Sequence, residues 1–175
     1  MIWMYANNDY NSCRYILGTV CRHPLICVGV NPSTAEPNRI DSTIRAVERV
    51  SAKNGYDGWI MINLYPQRAT DPDDLDITAN NKLVDSNLLY IEQLLSMYPE
   101  SDIWAAWGTM IEKRAYLREC LLEINKIVDS NNCKWITFGA MSKDGHPHHP
   151  LYLAVDSRKE PFSFHTYQQK ITRRT

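Results

Sequence analysis

Three side chains in this 175-residue sequence have the type and the setting to handle a polar ligand: Asn31, Asn63 and His149. Asn31 sits in Gly29-Val30-Asn31-Pro32, where the proline ring biases the residue before it toward extended geometry and projects that side chain from the end of the preceding apolar run. Its carboxamide carries an acceptor and a donor, enough to hold a water but far too weakly basic to deprotonate one. The plain alternative is a turn with a helix cap, since asparagine is common in turns. Asn63 closes Ile60-Met61-Ile62-Asn63. A frozen amide there can match one donor–acceptor edge and leave the reversed edge unpaired; an Asn that merely satisfies the backbone of the Leu64 to Ala69 loop is the ordinary alternative. His149-Pro150-Leu151 supplies an imidazole which, if neutral with a fixed donor, can stabilise developing negative charge. His146, followed by Pro147, competes for the same role. Three histidines between Gly145 and Pro150 raise the question of a metal, but no carboxylate or cysteine cluster of ligand spacing accompanies them. Neither a metal nor any other cofactor is expected.

The elements that must position these groups read as alternating strands and helices. Arg14 to Leu17 suggests an edge strand, and Leu25 to Val30 is an unbroken apolar run of the kind found in buried parallel strands. Asp41 or Ser42 can cap a helix carrying Ile44, Val47 and Val50 at helical spacing, with Gly55 as its stop. Gly58 to Asn63 repeats the strand pattern. A long polar loop from Leu64 to Pro72 then leads to a helix near Asn80 to Met97, bearing Leu83, Leu88, Ile91 and Leu95. Ile103 to Trp107 is the third strand, Gly108 a turn, and Ile111, Leu117, Leu121, Ile124 and Val128 mark a helix ending near Ser130. Lys134 to Phe138 is the fourth strand. Strands alternating with helices through short loops predict right-handed crossovers and a mainly parallel four-stranded sheet between two helix layers, an α/β/α sandwich. Ligands in such sheets sit beyond the carboxyl ends of the strands, where Asn31, Asn63 and Trp107 stand. Trp107 itself reads as core packing.

Composition narrows the function classes. With 44% hydrophobic residues, the length suits a single domain over residues 1–175. A formal charge of -1 gives no bulk basic field, so any contact with nucleic acid must come from a local patch. The five cysteines form no Cys-x-x-Cys pair and lie mostly in apolar runs, as reduced packing thiols do, which fits a cytoplasmic location. No apolar run approaches membrane-spanning length, so no membrane partner is expected. Arg173 and Arg174 read as a frayed basic tail. The sequence says nothing of oligomeric state.

Taken together, the four ordered segments Gly29-Val30-Asn31-Pro32, Ile60-Met61-Ile62-Asn63-Leu64, Trp107-Gly108 and His149-Pro150-Leu151 resemble the uracil-DNA glycosylase superfamily, and more closely its relatives grouped as domain of unknown function 1643 (DUF1643). The resemblance runs from Cys13 to about Leu153. It implies the uracil-DNA glycosylase-like fold and hydrolysis of the N-glycosidic bond of a damaged or modified pyrimidine base. In that reading Asn31 positions water, Asn63 reads the base, His149 donates to the departing base and Leu151 enters the duplex. Tyr65 is a candidate for stacking on the base; Ser33, Arg68 and Lys143, with Leu151, are candidates for contact with phosphate or nucleic acid. Other branches of the superfamily carry Asp where this chain has Asn31, and the Ser-Pro inside their histidine loop is missing here. DNA or a nucleotide is the implied ligand. Two other readings use the same pocket: a non-catalytic nucleic-acid or nucleotide binder, and a hydrolase of free modified nucleosides.

Overall fold

The computed structural model describes residues 2–154 and 156–172; Arg173 and Arg174 lie outside them. Seven strands form one sheet: β1 (Trp3–Asn7), β2 (Arg14–Thr19), β3 (Pro24–Gly29), β4 (Gly58–Asn63), β5 (Asp102–Ala105), β6 (Lys134–Phe138) and β7 (Lys159–Pro161), in the spatial order β1-β2-β4-β3-β5-β6-β7. The four apolar runs read from the sequence are β3 to β6. They pair in parallel, while β1–β2, β2–β4 and β6–β7 pair antiparallel. The sheet is therefore mixed α/β with a parallel centre, and it has three strands more than the apolar runs predict.

Helix placement follows from strand order. The chain leaves β3 for β4 on one side and then jumps back over β3 to β5, so its crossovers reverse direction at β3. Right-handed connections running in opposite directions must lie on opposite faces of the sheet. Accordingly α1 (Ser42–Lys53) buries Ile44, Val47 and Val50 in one apolar cluster with Leu25, Cys27, Trp59, Met61 and Trp104. On the other face α2 (Asn81–Met97), α3 (Tyr116–Ser130) and α4 (Phe164–Thr172) cover Ile26, Val28, Ile60, Ile62 and Ile103. Strict alternation along β3 and β4 divides the side chains between the two clusters.

The Asp41 carboxylate caps α1 by accepting from the Ile44 amide at 2.9 Å, and Gly55, at φ +81°, follows the helix end. Asn80 caps α2 through the Lys82 amide. Ile111 belongs to a separate 3-10 turn, Gly108–Glu112, and α3 starts only at Tyr116.

The edge-strand expectation needs correction. Arg14 to Leu17 is not an edge: β2 is buried along its whole length because β1 pairs outside it. Every residue of β1 is half-buried, so the strand shows no alternation that a sequence pattern could reveal. The segment after Leu153 is structured too, with Phe164, Tyr167 and Ile171 at helical spacing on the buried face of α4. All five cysteines are free thiols, four of them buried. Among the described residues, no helix is long and apolar enough to cross a membrane.

Candidate functional site

The reversal at β3 leaves a crevice between the carboxyl ends of β3 and β5, the switch point where open α/β sheets bind ligands. A cavity of about 500 Å³ lies there, walled by Gly29, Val30 and Asn31 after β3, by Trp107 to Met110 after β5, by Asp41 to Ile44 at the start of α1, and by Pro147 to His149. Its size is that of a small-molecule site.

Asn31 enters this wall with its amide already committed. Nδ2 donates to the Ala69 carbonyl at 2.8 Å and to the Pro32 carbonyl at 3.0 Å. Both amide hydrogens are thus spent on backbone, which fixes the group and leaves Oδ1 as an acceptor for a water or ligand. The Asn-Pro turn and the polar wall are one structure rather than alternatives.

Asn63 ends β4 directly across from Gly29 in the parallel register. Its side chain is 1% exposed, yet neither Nδ2 nor Oδ1 has a hydrogen-bond partner among the described residues. A carboxamide buried in that state costs on the order of 1–3 kcal/mol until something pairs with it. Only the backbone of Asn63 is tied down, its carbonyl accepting from Asn87 Nδ2 of α2 at 2.9 Å. The loop-satisfying role considered from sequence belongs to Asn87, which had no distinguishing signal on its own. Asn63 is not itself in the cavity wall; Gly29 and Met61 are, and a Cβ on Gly29 would sit 3.0 Å from Asn63 Oδ1 and 2.6 Å from Met61 Cε, which places the Asn63 carboxamide next to the wall.

The two histidines separate cleanly. His146 is fully buried, and both ring nitrogens are bonded, Nδ1 to the Tyr167 hydroxyl at 2.7 Å and Nε2 to Glu112 Oε1 at 2.9 Å. It ties the loop to α4 and to the 3-10 turn after β5. His149 instead lines the cavity. Its Nδ1 accepts from the Leu151 amide at 3.3 Å, which assigns the proton of the neutral ring to Nε2. Burial lowers its pKa below the ordinary 6.5, opposed by the weaker attraction of the Asp41 carboxylate. At neutral pH the ring is an uncharged Nε2–H donor. Gly108, at φ +60°, backs it, with its missing Cβ position 3.5 Å from His149 Cβ.

The remaining expected residues divide. Ser33 and Leu151 line the cavity, Ser33 with its hydroxyl 3.3 Å from that of Thr70. Tyr65 does not: it is fully buried in the cluster on the opposite face, where its hydroxyl donates to Asp76 at 2.6 Å and its ring packs on Tyr116. Stacking on a ligand is closed to it, because Leu64 and Tyr65 continue into the core rather than out of the strand end. Arg68 is spent on the 33–36 loop, donating to the Ser33 and Ala35 carbonyls and to the Tyr5 hydroxyl, and it borders a shallower hollow beside the cavity. Lys143 is exposed and stands outside the cavity wall. Trp107 is core, its Nε1–H donating to Tyr167 at 2.8 Å. Arg14, Thr43, Met110 and Tyr152 join the wall. Arg14 had a visible signal, a charged residue opening an apolar strand. No group of three or more His, Cys, Asp or Glu side chains able to hold a metal ion occurs among the described residues.

No curated protein and no solved structure matches this chain. One family model does, described as "Protein of unknown function (DUF1643)", over residues 14–151, a span that runs from Arg14 on β2 to Leu151 at the cavity mouth. The chain belongs to the DUF1643 family.

Proposed function

We propose that the cavity hydrolyses the N-glycosidic bond of a pyrimidine nucleoside unit, on a fold of the uracil-DNA glycosylase type. The observation that carries this reading is the buried, unpartnered carboxamide of Asn63 beside a cavity that Asn31 and His149 both line. A carboxamide left unpaired beside a pocket is complementary to a ligand edge with one acceptor next to one donor, a pattern that uracil and thymine present and that cytosine presents in the reversed order.

The chemistry asked of the other two groups is modest. As the bond from C1′ to the base nitrogen breaks, its electron pair stays with the base and C1′ becomes oxocarbenium-like. Asn31 Oδ1 accepts from a water and holds its oxygen toward C1′; the new bond forms from that oxygen, and its proton passes to the departing base or to solvent rather than to the amide. The Nε2–H of neutral His149 donates to an oxygen of the departing base, where negative charge accumulates. The helices on both faces of the parallel centre agree with a three-layer arrangement of that type.

The test is release of free base from a panel of oligonucleotides carrying uracil, mismatched thymine, or oxidised or alkylated pyrimidines, run beside the matching free nucleosides and nucleotides. Base release from at least one pyrimidine substrate is expected. Tight binding with no base released on long incubation would replace hydrolysis by a binding function of the same pocket.

A further inference from the structure

Arg14 is the least expected residue in the cavity wall. It is 2% exposed, and no carboxylate lies within 4.0 Å of it among the described residues. Of its five N–H groups, one donates to protein, Nη1 to the Ala35 carbonyl at 3.1 Å, and Nε is buried without a partner. The Arg68 guanidinium donates to the same Ala35 carbonyl, so two cations are held side by side. Glu36 answers Arg68 at 3.9 Å, and no carboxylate among the described residues answers Arg14 at comparable range. Burial and the Arg68 charge depress the Arg14 pKa to about 10, against a weaker opposing pull from Asp41, so the group remains a cation at neutral pH. A buried charge with no ion-pair partner within 4.0 Å among the described residues, and only the more distant Asp41 carboxylate in the same wall, is expensive, and here the open side is a cavity lined also by Ser33, Thr43 and Thr70.

We propose that Arg14 anchors a phosphate oxyanion of the ligand, making the preferred ligand a nucleotide bearing a terminal phosphate monoester rather than an uncharged nucleoside. A guanidinium suits phosphate because its planar fork can pair two oxygens at once. Arg14 is a buried part of the wall, and a terminal phosphate can end against it, whereas a diester must lead a chain away from it on both sides. The nucleotide half of this inference rests on the base-reading role given to Asn63; the oxyanion half rests on Arg14 alone.

The test compares four probes, inorganic phosphate, dUMP, deoxyuridine and a single-stranded oligonucleotide with one internal deoxyuridine, by calorimetry on the whole chain and on Arg14→Gln, Arg14→Lys and Arg14→Met. Inorganic phosphate binding to the wild type is expected to weaken roughly tenfold to a hundredfold in Arg14→Gln, with partial recovery in Arg14→Lys. dUMP is expected to bind more tightly than deoxyuridine in the wild type and no more tightly in Arg14→Gln. Without ligand, Arg14→Met should melt no lower than the wild type, because it removes an unanswered buried charge. Phosphate that fails to bind the wild type, binds all four proteins equally, or leaves Arg14→Met as the only affected property through a fall in melting temperature would overturn the proposal and make Arg14 structural. An oligonucleotide that depends on Arg14 while dUMP does not would overturn the monoester in favour of a strand phosphate. Arg14-dependent phosphate binding with no base release from any substrate would leave the oxyanion site standing and remove the hydrolase reading.

Discussion

Asn31 and His149 in the cavity wall, and Asn63 beside it next to Gly29, differ in what the protein has already done with them. Asn31 is locked by two backbone carbonyls, Asn63 is unpaired, and His149 is kept neutral by burial with its Nδ1 occupied. Each state yields a separate expectation. Asn63→Leu removes both the donor and the acceptor at nearly constant volume and leaves no buried polar group unpaired, so pyrimidine preference should change by about 1–3 kcal/mol in relative affinity while the fold survives, read from binding of uracil and cytosine nucleotides to both proteins. An unchanged preference would separate Asn63 from the ligand. For His149 the sign is fixed by its lowered pKa. The unfolded chain takes up the proton first as pH drops, so stability held by the neutral ring is complete above about 6.5 and is lost as pH falls through the folded value. The stability difference between wild type and His149→Asn, taken from urea midpoints, should therefore shrink in the wild type's disfavour from about pH 7.5 to pH 5. A difference independent of pH would mean that the imidazole is solvated. The place of Asn31 in the wall was readable from sequence because a strand end and a proline announced it; His149 was marked only by the resemblance of His149-Pro150-Leu151, since His146 is followed by a proline as well. The places of Tyr65 and Arg68 were not readable, because sequence gives a loop residue's type and not which side of the sheet the loop leaves.

At the scale of elements, the site depends on close approach between β3 and β4. At Gly29 in that seam any side chain would meet Asn63, and Met61 Cε, a flexible tip, would also have to move. Gly29→Ala is expected to cost about 1–3 kcal/mol of stability through overpacking, and ligand affinity should fall further because the Asn63 carboxamide is pushed from its register. Urea denaturation and nucleotide binding on the same variant separate the two effects. The parallel strands and α1 to α3 were legible because buried runs and helical periods are strong signals. β1 and β7 were not: both are short outer strands, one half-buried throughout and the other, Lys-Glu-Pro, wholly exposed, and they exist by pairing with neighbours rather than by any pattern of their own.

Across the whole molecule, strand order places the cavity before any side chain is considered, since the reversal at β3 opens the sheet on its carboxyl side. What the chain lacks is a field: a net charge of -1 gives no long-range attraction to a polyanion. Binding to an oligonucleotide should accordingly show a shallow salt dependence, with a slope in log affinity against log salt smaller than about 3 in magnitude, as few phosphates would be neutralised. A steep slope would reveal a basic surface that the cavity does not include.

The most direct measurement is single-turnover release of free base from a pyrimidine substrate by the wild type and by Asn31→Ala, with binding measured on both. If Asn31 holds the attacking water, release should slow by about 10²-fold or more while affinity changes little. Equal rates in the two proteins, or no base released by a folded wild type that binds the substrate, would contradict the account.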